Sequence, residues 1–120
     1  MTHRRVLPLL LAVSLMAGLA AAPSQAAAPP KGKYSCIIPR LPTPFYAGYL
    51  YILSSTKYRV ENEKGRYTTK GKRIIFKTGP HKGKWKKVTW AKDASGTPYI
   101  TLERKEENAQ AWECSRISGG

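Results

Sequence analysis

Acidic residues are scarce in this chain, and their scarcity limits the partners it can attract. The sequence holds 7 Asp and Glu residues against 21 Lys and Arg residues, for a formal net charge of +14. Such a field favours polyanions, among them nucleic acids, acidic cell-wall polymers, acidic glycans and anionic lipid head groups. The alternative is that the lysines serve solubility, because charged side chains keep the edges of β-strands from pairing with other chains.

Histidine and cysteine are too few for the usual metal and catalytic sites. The chain has two residues of each type, whereas a structural zinc site takes roughly four ligands. We therefore predict no metal and no cofactor. A small nuclease would have to use His81 with a glutamate base such as Glu61 or Glu103, and nothing in their spacing brings these groups within hydrogen-bond reach. We expect a protein that is not an enzyme.

Long apolar runs are absent except at the N-terminus. Arg4 and Arg5 precede an apolar run over residues 6–22, and small residues follow it up to Ala26. This order predicts a signal peptide over residues 1–26 and a secreted, extracellular or periplasmic mature chain without a transmembrane segment. The alternative is an uncleaved membrane anchor, for which the run is short of the roughly 20 residues that a membrane span needs.

Removal of the signal peptide leaves one small domain with an uneven charge. The remaining 94 residues carry 19 basic side chains, because Arg4 and Arg5 are lost, and all 7 acidic ones. Residues 57–92 hold 13 basic and two acidic side chains, whereas residues 93–120 hold three basic and five acidic ones. This distribution predicts one basic face rather than a uniformly basic surface.

The two cysteines lie near the two ends of the predicted domain. In an exported chain, Cys36 and Cys114 are expected to form a disulfide. The enclosed loop of 79 residues corresponds to about 4.5 kcal/mol of stabilisation in the chain-entropy model. A free or metal-bound pair of thiols is the alternative.

A sustained helical period is also missing, and short β-prone segments alternate with turns instead. The alternation of apolar and polar residues at Tyr58 and Val60 is typical of half-buried strands. We predict a single β domain over residues 34–116, after a flexible leader over 27–33 and before a frayed tail over 117–120. The predicted strands cover residues 34–38, 45–53, 57–61, 66–69, 73–77, 84–91, 98–103 and 110–115.

These segments predict an all-β fold, a small antiparallel meander of seven or eight strands. Strands that follow one another in sequence usually lie side by side. A disulfide between the first and last strands brings the ends of the meander together, which favours a closed or nearly closed barrel. A sandwich of two sheets is the alternative.

Lysines and a tryptophan are concentrated in one hairpin, over residues 79–87. Basic side chains beside Trp85 could follow a polyanion backbone and stack on a base or sugar ring, unless the tryptophan packs inward. Neighbouring hairpins extend this surface. The candidate anion-binding residues are Lys70, Lys72, Arg73, Lys82, Lys84, Trp85, Lys86 and Lys87.

Aromatic residues are numerous for so small a domain, and three of them follow one another closely at Tyr46, Tyr49 and Tyr51. Most aromatics of such a domain are expected in the barrel core. An exposed row of them could bind glycans or a partner protein.

Three short motifs give the chain a family resemblance. Gly65-Arg66-Tyr67, then the segment Ile-Ile-Phe-Lys-Thr-Gly-Pro over 74–80, and then Cys114 follow in this order. Over residues 45–115 the chain resembles small secreted bacterial β domains of unassigned function. The resemblance implies a barrel-like β fold and carries over no functional residue. From composition and motifs together we expect a secreted, non-enzymatic binding protein for an anionic polymer or surface. The alternatives are a secreted protein–protein module, such as an enzyme inhibitor, and, less favoured, the small nuclease.

Overall fold

The computed structural model describes residues 27–40 and 42–119. The signal peptide predicted over residues 1–26 lies outside the described residues. In the described ranges the chain forms eight strands and no helix, and therefore no apolar helix of membrane-spanning length. The strands are β1 (Gly32–Ile38), β2 (Phe45–Ile52), β3 (Lys57–Val60), β4 (Glu63–Lys70), β5 (Arg73–Phe76), β6 (Trp85–Lys92), β7 (Pro98–Arg104) and β8 (Trp112–Ser118).

The strands form a closed antiparallel barrel in sequence order. Each strand pairs with the next, and β8 returns to pair with β1. The predicted all-β meander and its closure are thereby confirmed, and the sandwich alternative is wrong. Cys36 and Cys114 face each other across the β1–β8 pair and form the predicted disulfide, 78 positions apart in sequence. The disulfide therefore joins the two strands that close the barrel.

The barrel interior is filled by the alternate side chains of the strands. In β7, for example, Ile100 and Leu102 are buried while Thr101 between them is partly exposed. Aromatic rings fill much of the space, as is usual for the interior of a small barrel. The buried core consists of Tyr34, Cys36, Leu50, Ile52, Tyr58, Tyr67, Ile74, Phe76, Val88, Trp90, Ile100, Leu102 and Cys114.

Both ends of the domain are longer than predicted. The leader, predicted to be flexible over 27–33, lies against the barrel: the Trp90 indole N–H donates to the Ala27 carbonyl at 3.1 Å, and the Tyr34 hydroxyl donates to the Pro30 carbonyl at 2.5 Å. These carbonyls satisfy polar atoms of rings that are otherwise buried. At the other end, β8 continues to Ser118, so its pairing with β1 includes residues predicted to be frayed.

The barrel wall is weakest between β5 and β6. In the part of the chain that the structure describes, these strands share one register pair, Arg73 with Thr89. A hydrogen bond from the Trp90 amide to the Lys72 carbonyl, 2.9 Å long, lies beside this pair. Toward Phe76 and Trp85 the two strands have no register pair, and the chain between them, residues 77–84, forms a loop over the resulting opening.

Candidate anion-binding groove

A groove of about 380 Å³ lies between β5 and β6, where the two strands are not paired. Apolar and aromatic side chains form its inner surface, namely the buried Phe76, His81 and Val88 and the half-buried Trp85. None of the described residues that line it is acidic. Its exposed cations are Arg73, Lys77, Lys82, Lys86 and Lys87.

The groove cations form no close ion pair among the described residues. Among residues 27–40 and 42–119, the one ion pair within 4.0 Å joins Arg104 and Glu106, at 3.4 Å. None of the five groove cations is therefore paired with a described carboxylate. Partial compensation comes from β7, where Glu103 is the register partner of Lys87 and also lines a cavity with Lys86. Because like charges gathered around one groove repel each other, a bound polyanion would relieve the repulsion that remains.

The loop that carries Lys82 is fixed to the barrel by Tyr58. The Tyr58 hydroxyl donates to the Thr78 carbonyl at 2.8 Å and accepts from the His81 amide at 2.9 Å. Gly79 has a φ of 91°, and a Cβ there would lie 2.6 Å from the Cα of Gly65. A larger residue at position 79 would therefore be both strained and in collision, so this glycine lets the loop lie close to β4.

His81 is part of the aromatic core beneath this loop. Its ring stacks on Tyr58 at a centroid distance of 5.8 Å and lies 5.1 Å from Phe76. The Trp85 indole N–H donates to His81 Nδ1 at 3.1 Å, so the neutral ring carries its proton on Nε2. Burial, with a smaller contribution from Lys84, lowers the pKa of His81 from 6.5 to about 4. The imidazole is therefore neutral at physiological pH.

The surroundings of His81 can be compared with those that a catalytic histidine of a nuclease requires. Among the described residues, His81 lines the groove and a second cavity beside it, and neither Glu61 nor Glu103 lines either of these. An imidazole with a pKa near 4 is also far from the value near the operating pH that suits a general acid or base. His81 has the surroundings of a histidine that serves packing.

Trp85 separates the groove from a second cavity. Its half-buried ring lies 4.9 Å from the Trp112 ring, nearly at right angles, and 5.6 Å from His81. The second cavity, about 310 Å³, is lined by both tryptophans and by Lys84, Arg104 and Glu106 among others. The Trp112 indole nitrogen is buried and has no hydrogen-bond partner among the described residues. Trp85 thus lines both cavities and also packs against the barrel core.

The structure brings together five of the eight predicted anion-binding residues, namely Arg73, Lys82, Trp85, Lys86 and Lys87. Lys84 lines the second cavity, on the other side of Trp85. Lys70 and Lys72 flank the β4–β5 turn, outside the groove, and the Lys72 ammonium lies 3.7 Å from the Trp90 ring centroid.

The predicted set leaves out two groove residues with ionisable side chains, Lys77 and His81, and the apolar lining such as Phe76 and Val88. Lys77 could have been found from the alternation of the strand before it, since it follows the buried Phe76 and must point outward. For His81 the sequence offers no such signal, because a lone histidine in a loop does not show that its ring packs under that loop.

The described residues include no group of three or more His, Cys, Asp or Glu side chains that could hold a metal ion. No family model, no curated protein and no solved structure matches this chain.

Proposed function

We propose that this chain is an exported, non-enzymatic protein that binds an anionic polymer or surface through the groove between β5 and β6. One observation carries the proposal: five exposed cations surround an apolar groove, and none of them has a described carboxylate within 4.0 Å. A surface whose lysines served solubility alone would not need them around one concave, partly aromatic site.

The chemistry of the groove favours a polymer over a single small anion. The cations lie on β5, on the 77–84 loop and on β6, so a chain of repeated negative charges can meet several of them in succession. Each neutralised charge on the polymer releases condensed counterions, which is a favourable and salt-dependent contribution to binding. The exposed part of Trp85 adds an apolar contact for a ring or a backbone segment of the polymer.

Two features support export. The N-terminal sequence has the basic start, apolar run and small residues of a signal peptide. The Cys36–Cys114 disulfide is of a kind that persists in oxidising compartments and is rare in the cytosol. An exported polycation meets acidic polymers and surfaces outside the cytoplasm more readily than genomic nucleic acid.

A protein partner is the second candidate, and the incomplete β5–β6 pairing favours it. Strands that lack a neighbour offer unpaired backbone groups to an extended segment of another protein. Ile75, 37% exposed on β5, would add an apolar contact. Strand pairing of this kind requires a partner with a peptide backbone, so it does not explain binding to a polymer that lacks one.

Binding to inorganic polyphosphate tests the proposal, because this polymer has charge but no peptide backbone and no sugar. We expect the logarithm of the association constant to fall linearly with the logarithm of the salt concentration. Four or five contacts give a slope of about −3 to −4.5, at roughly 0.7 to 0.9 per contact. Fluorescence anisotropy with labelled polyphosphate measures this slope. Absence of binding, or a slope near zero, would contradict the proposal.

A further inference from the structure

A second surface, chemically unlike the groove, lies on the outer face of β1, β2 and β3. A β-bulge creates it: Cys36 pairs with Gly48, but the next residue, Ile37, pairs with Tyr46, so Ala47 is extra. Gly48, with a φ of 105°, makes this irregularity possible. Because one extra residue reverses the alternation of the strand, Tyr46 lies on the outer face with Tyr49 instead of in the core.

The bulge produces a row of three tyrosines along β2. The ring centroids of Tyr46 and Tyr49 are 5.6 Å apart, and those of Tyr49 and Tyr51 are 6.4 Å apart. Tyr46 is 53% exposed and Tyr49 is 39% exposed, so both offer aromatic surface to a ligand. Exposed aromatic rows on a sheet are unusual unless something binds them, since each ring is large and apolar.

Two cations hold the rings of this row in place. The Lys33 ammonium lies 4.1 Å from the Tyr49 centroid, and the Arg59 guanidinium lies 3.9 Å from the Tyr51 centroid. Cation–π contacts of this kind restrict the rings before any ligand arrives. A surface ordered in advance loses less conformational freedom on binding.

A cleft of about 290 Å³ runs between this row and the β3–β4 turn. Its polar side chains are Arg59, Glu61 and Asn62, and its aromatic wall is formed by Tyr49 and Tyr51. The volume is close to the lower limit of small-molecule sites, roughly 300 Å³. The cleft is thus large enough for part of a chain-like ligand, with Tyr46 beyond it along β2.

The turn that closes the cleft has an unusual conformation. Glu61 has a φ of 53°, a backbone region that side chains other than Asn and Asp seldom adopt. The Arg59 guanidinium donates to the Glu61 carbonyl and thereby supports the turn. Glu61 is exposed and lines the cleft, so its carboxylate is available to a ligand there.

The residues that line the cleft differ in charge from those that line the groove, and the Lys33 ammonium lies beside them against Tyr49. The cleft holds one cation, Arg59, and one anion, Glu61, beside the Asn62 amide and two phenols. A polyanion would meet the Glu61 carboxylate, whereas a neutral, hydroxyl-rich ligand can both donate to the carboxylate and accept from the amide and guanidinium. Sugar rings have such hydroxyls, and their apolar C–H faces pack on aromatic rings.

From these observations we infer that the β2–β3 cleft and the tyrosine row bind a chain of uncharged sugars. The inference goes beyond the proposed function, because the cleft and the groove lie on different strand pairs with β4 between them. Both sites could be occupied together, and the protein would then link an anionic polymer to a neutral polysaccharide.

Isothermal titration with cellohexaose, chitohexaose and maltohexaose tests this inference. We expect at least one of these neutral oligosaccharides to bind, with a dissociation constant that changes less than about 2-fold between low and high salt. Tyr49→Ala should weaken that binding about 10-fold, the loss expected for one stacked ring. Tyr46→Ala should weaken it as well, and because Tyr46 is more exposed this variant is the safer one for folding.

The matched control is Tyr99→Ala, which removes a partly exposed tyrosine from β7, away from the cleft. It should leave sugar binding unchanged. The triple variant K82Q/K86Q/K87Q should also retain it while losing affinity for polyphosphate, which separates the two sites. The inference is overturned if none of the three oligosaccharides binds, or if binding survives both Tyr49→Ala and Tyr46→Ala. It is equally overturned if sugar affinity falls with salt as steeply as polyphosphate affinity does.

Discussion

Replacing both cysteines with alanine is expected to lower the free energy of unfolding by about 4 kcal/mol. Cys36 and Cys114 are 78 positions apart, so their bond removes much of the entropy of the unfolded chain. A domain of this size has a net stability of only about 5 to 10 kcal/mol, so the loss is a large share of it. Urea unfolding followed by tryptophan fluorescence measures the change.

The native sequence in reductant is the control for this double variant. Both thiols are then still present in the core, where Cys36 and Cys114 are buried, so packing is retained and the crosslink alone is lost. We expect reductant to lower the unfolding midpoint of the native protein and to leave that of the double variant unchanged. Equal midpoints for the native protein with and without reductant would show that the crosslink does not stabilise the barrel.

Stability is expected to fall by about 3 kcal/mol from the titration of His81 alone as the pH decreases from 6.5 to about 4. The unfolded state takes up a proton at the ordinary histidine pKa of 6.5, whereas the folded state does so near 4. Between these values the unfolded state binds more protons, so acid favours unfolding. Below about pH 4 both states are protonated and this contribution stops changing.

His81→Asn isolates this effect from the titration of the carboxylates. An asparagine oxygen can replace Nδ1 as the acceptor for the Trp85 indole N–H, and it does not titrate in this range. The variant is expected to be less stable at pH 7, because it is smaller, but to lose the steep dependence between pH 6.5 and 4. Unfolding midpoints measured at several pH values compare the slopes. Identical slopes for the two proteins would mean that His81 is not held neutral by its surroundings.

Much of the barrel follows from local sequence patterns. Alternation such as that of Tyr58 and Val60, with turn residues between segments, is sufficient to place eight strands, because side chains in a strand point to opposite faces in turn. Closure required a long-range constraint, and Cys36 with Cys114 supplied it. The predicted strand bounds differ most at β8, where pairing with β1 carries the strand to Ser118.

The groove could not be predicted from the sequence, because it forms where the β5–β6 pairing stops. Alternation shows that Ile75 and Lys77 point outward, but it does not show that β5 and β6 separate beyond Arg73 and Thr89. Nor does it show that Trp85 divides the lysines of one hairpin between two cavities, with Lys84 on the other side.

The row of Tyr46, Tyr49 and Tyr51 could not be predicted either, because it depends on a β-bulge in β2. A strict alternation along β2 would place Tyr46 on the same face as the buried Leu50. The bulge at Ala47 reverses this, and bulges depend on the partner strand as well as on a glycine such as Gly48. Exposed aromatic surface of this kind becomes visible when the register of the sheet is known.

The most direct test of the groove compares two variants with the same loss of charge. One replaces four groove lysines, as K77Q/K82Q/K86Q/K87Q, and the other replaces four exposed lysines outside the groove, as K31Q/K57Q/K70Q/K92Q. The measurement is the dissociation constant for inorganic polyphosphate at one fixed salt concentration.

We predict that the groove variant binds polyphosphate about 100- to 1000-fold more weakly than the native protein, at about 1 kcal/mol for each lost contact. The control variant should lose less than about 10-fold, because distant exposed charges are screened by salt. Equal losses in the two variants would contradict a groove-centred site and would leave the net charge of the chain as the whole cause of binding.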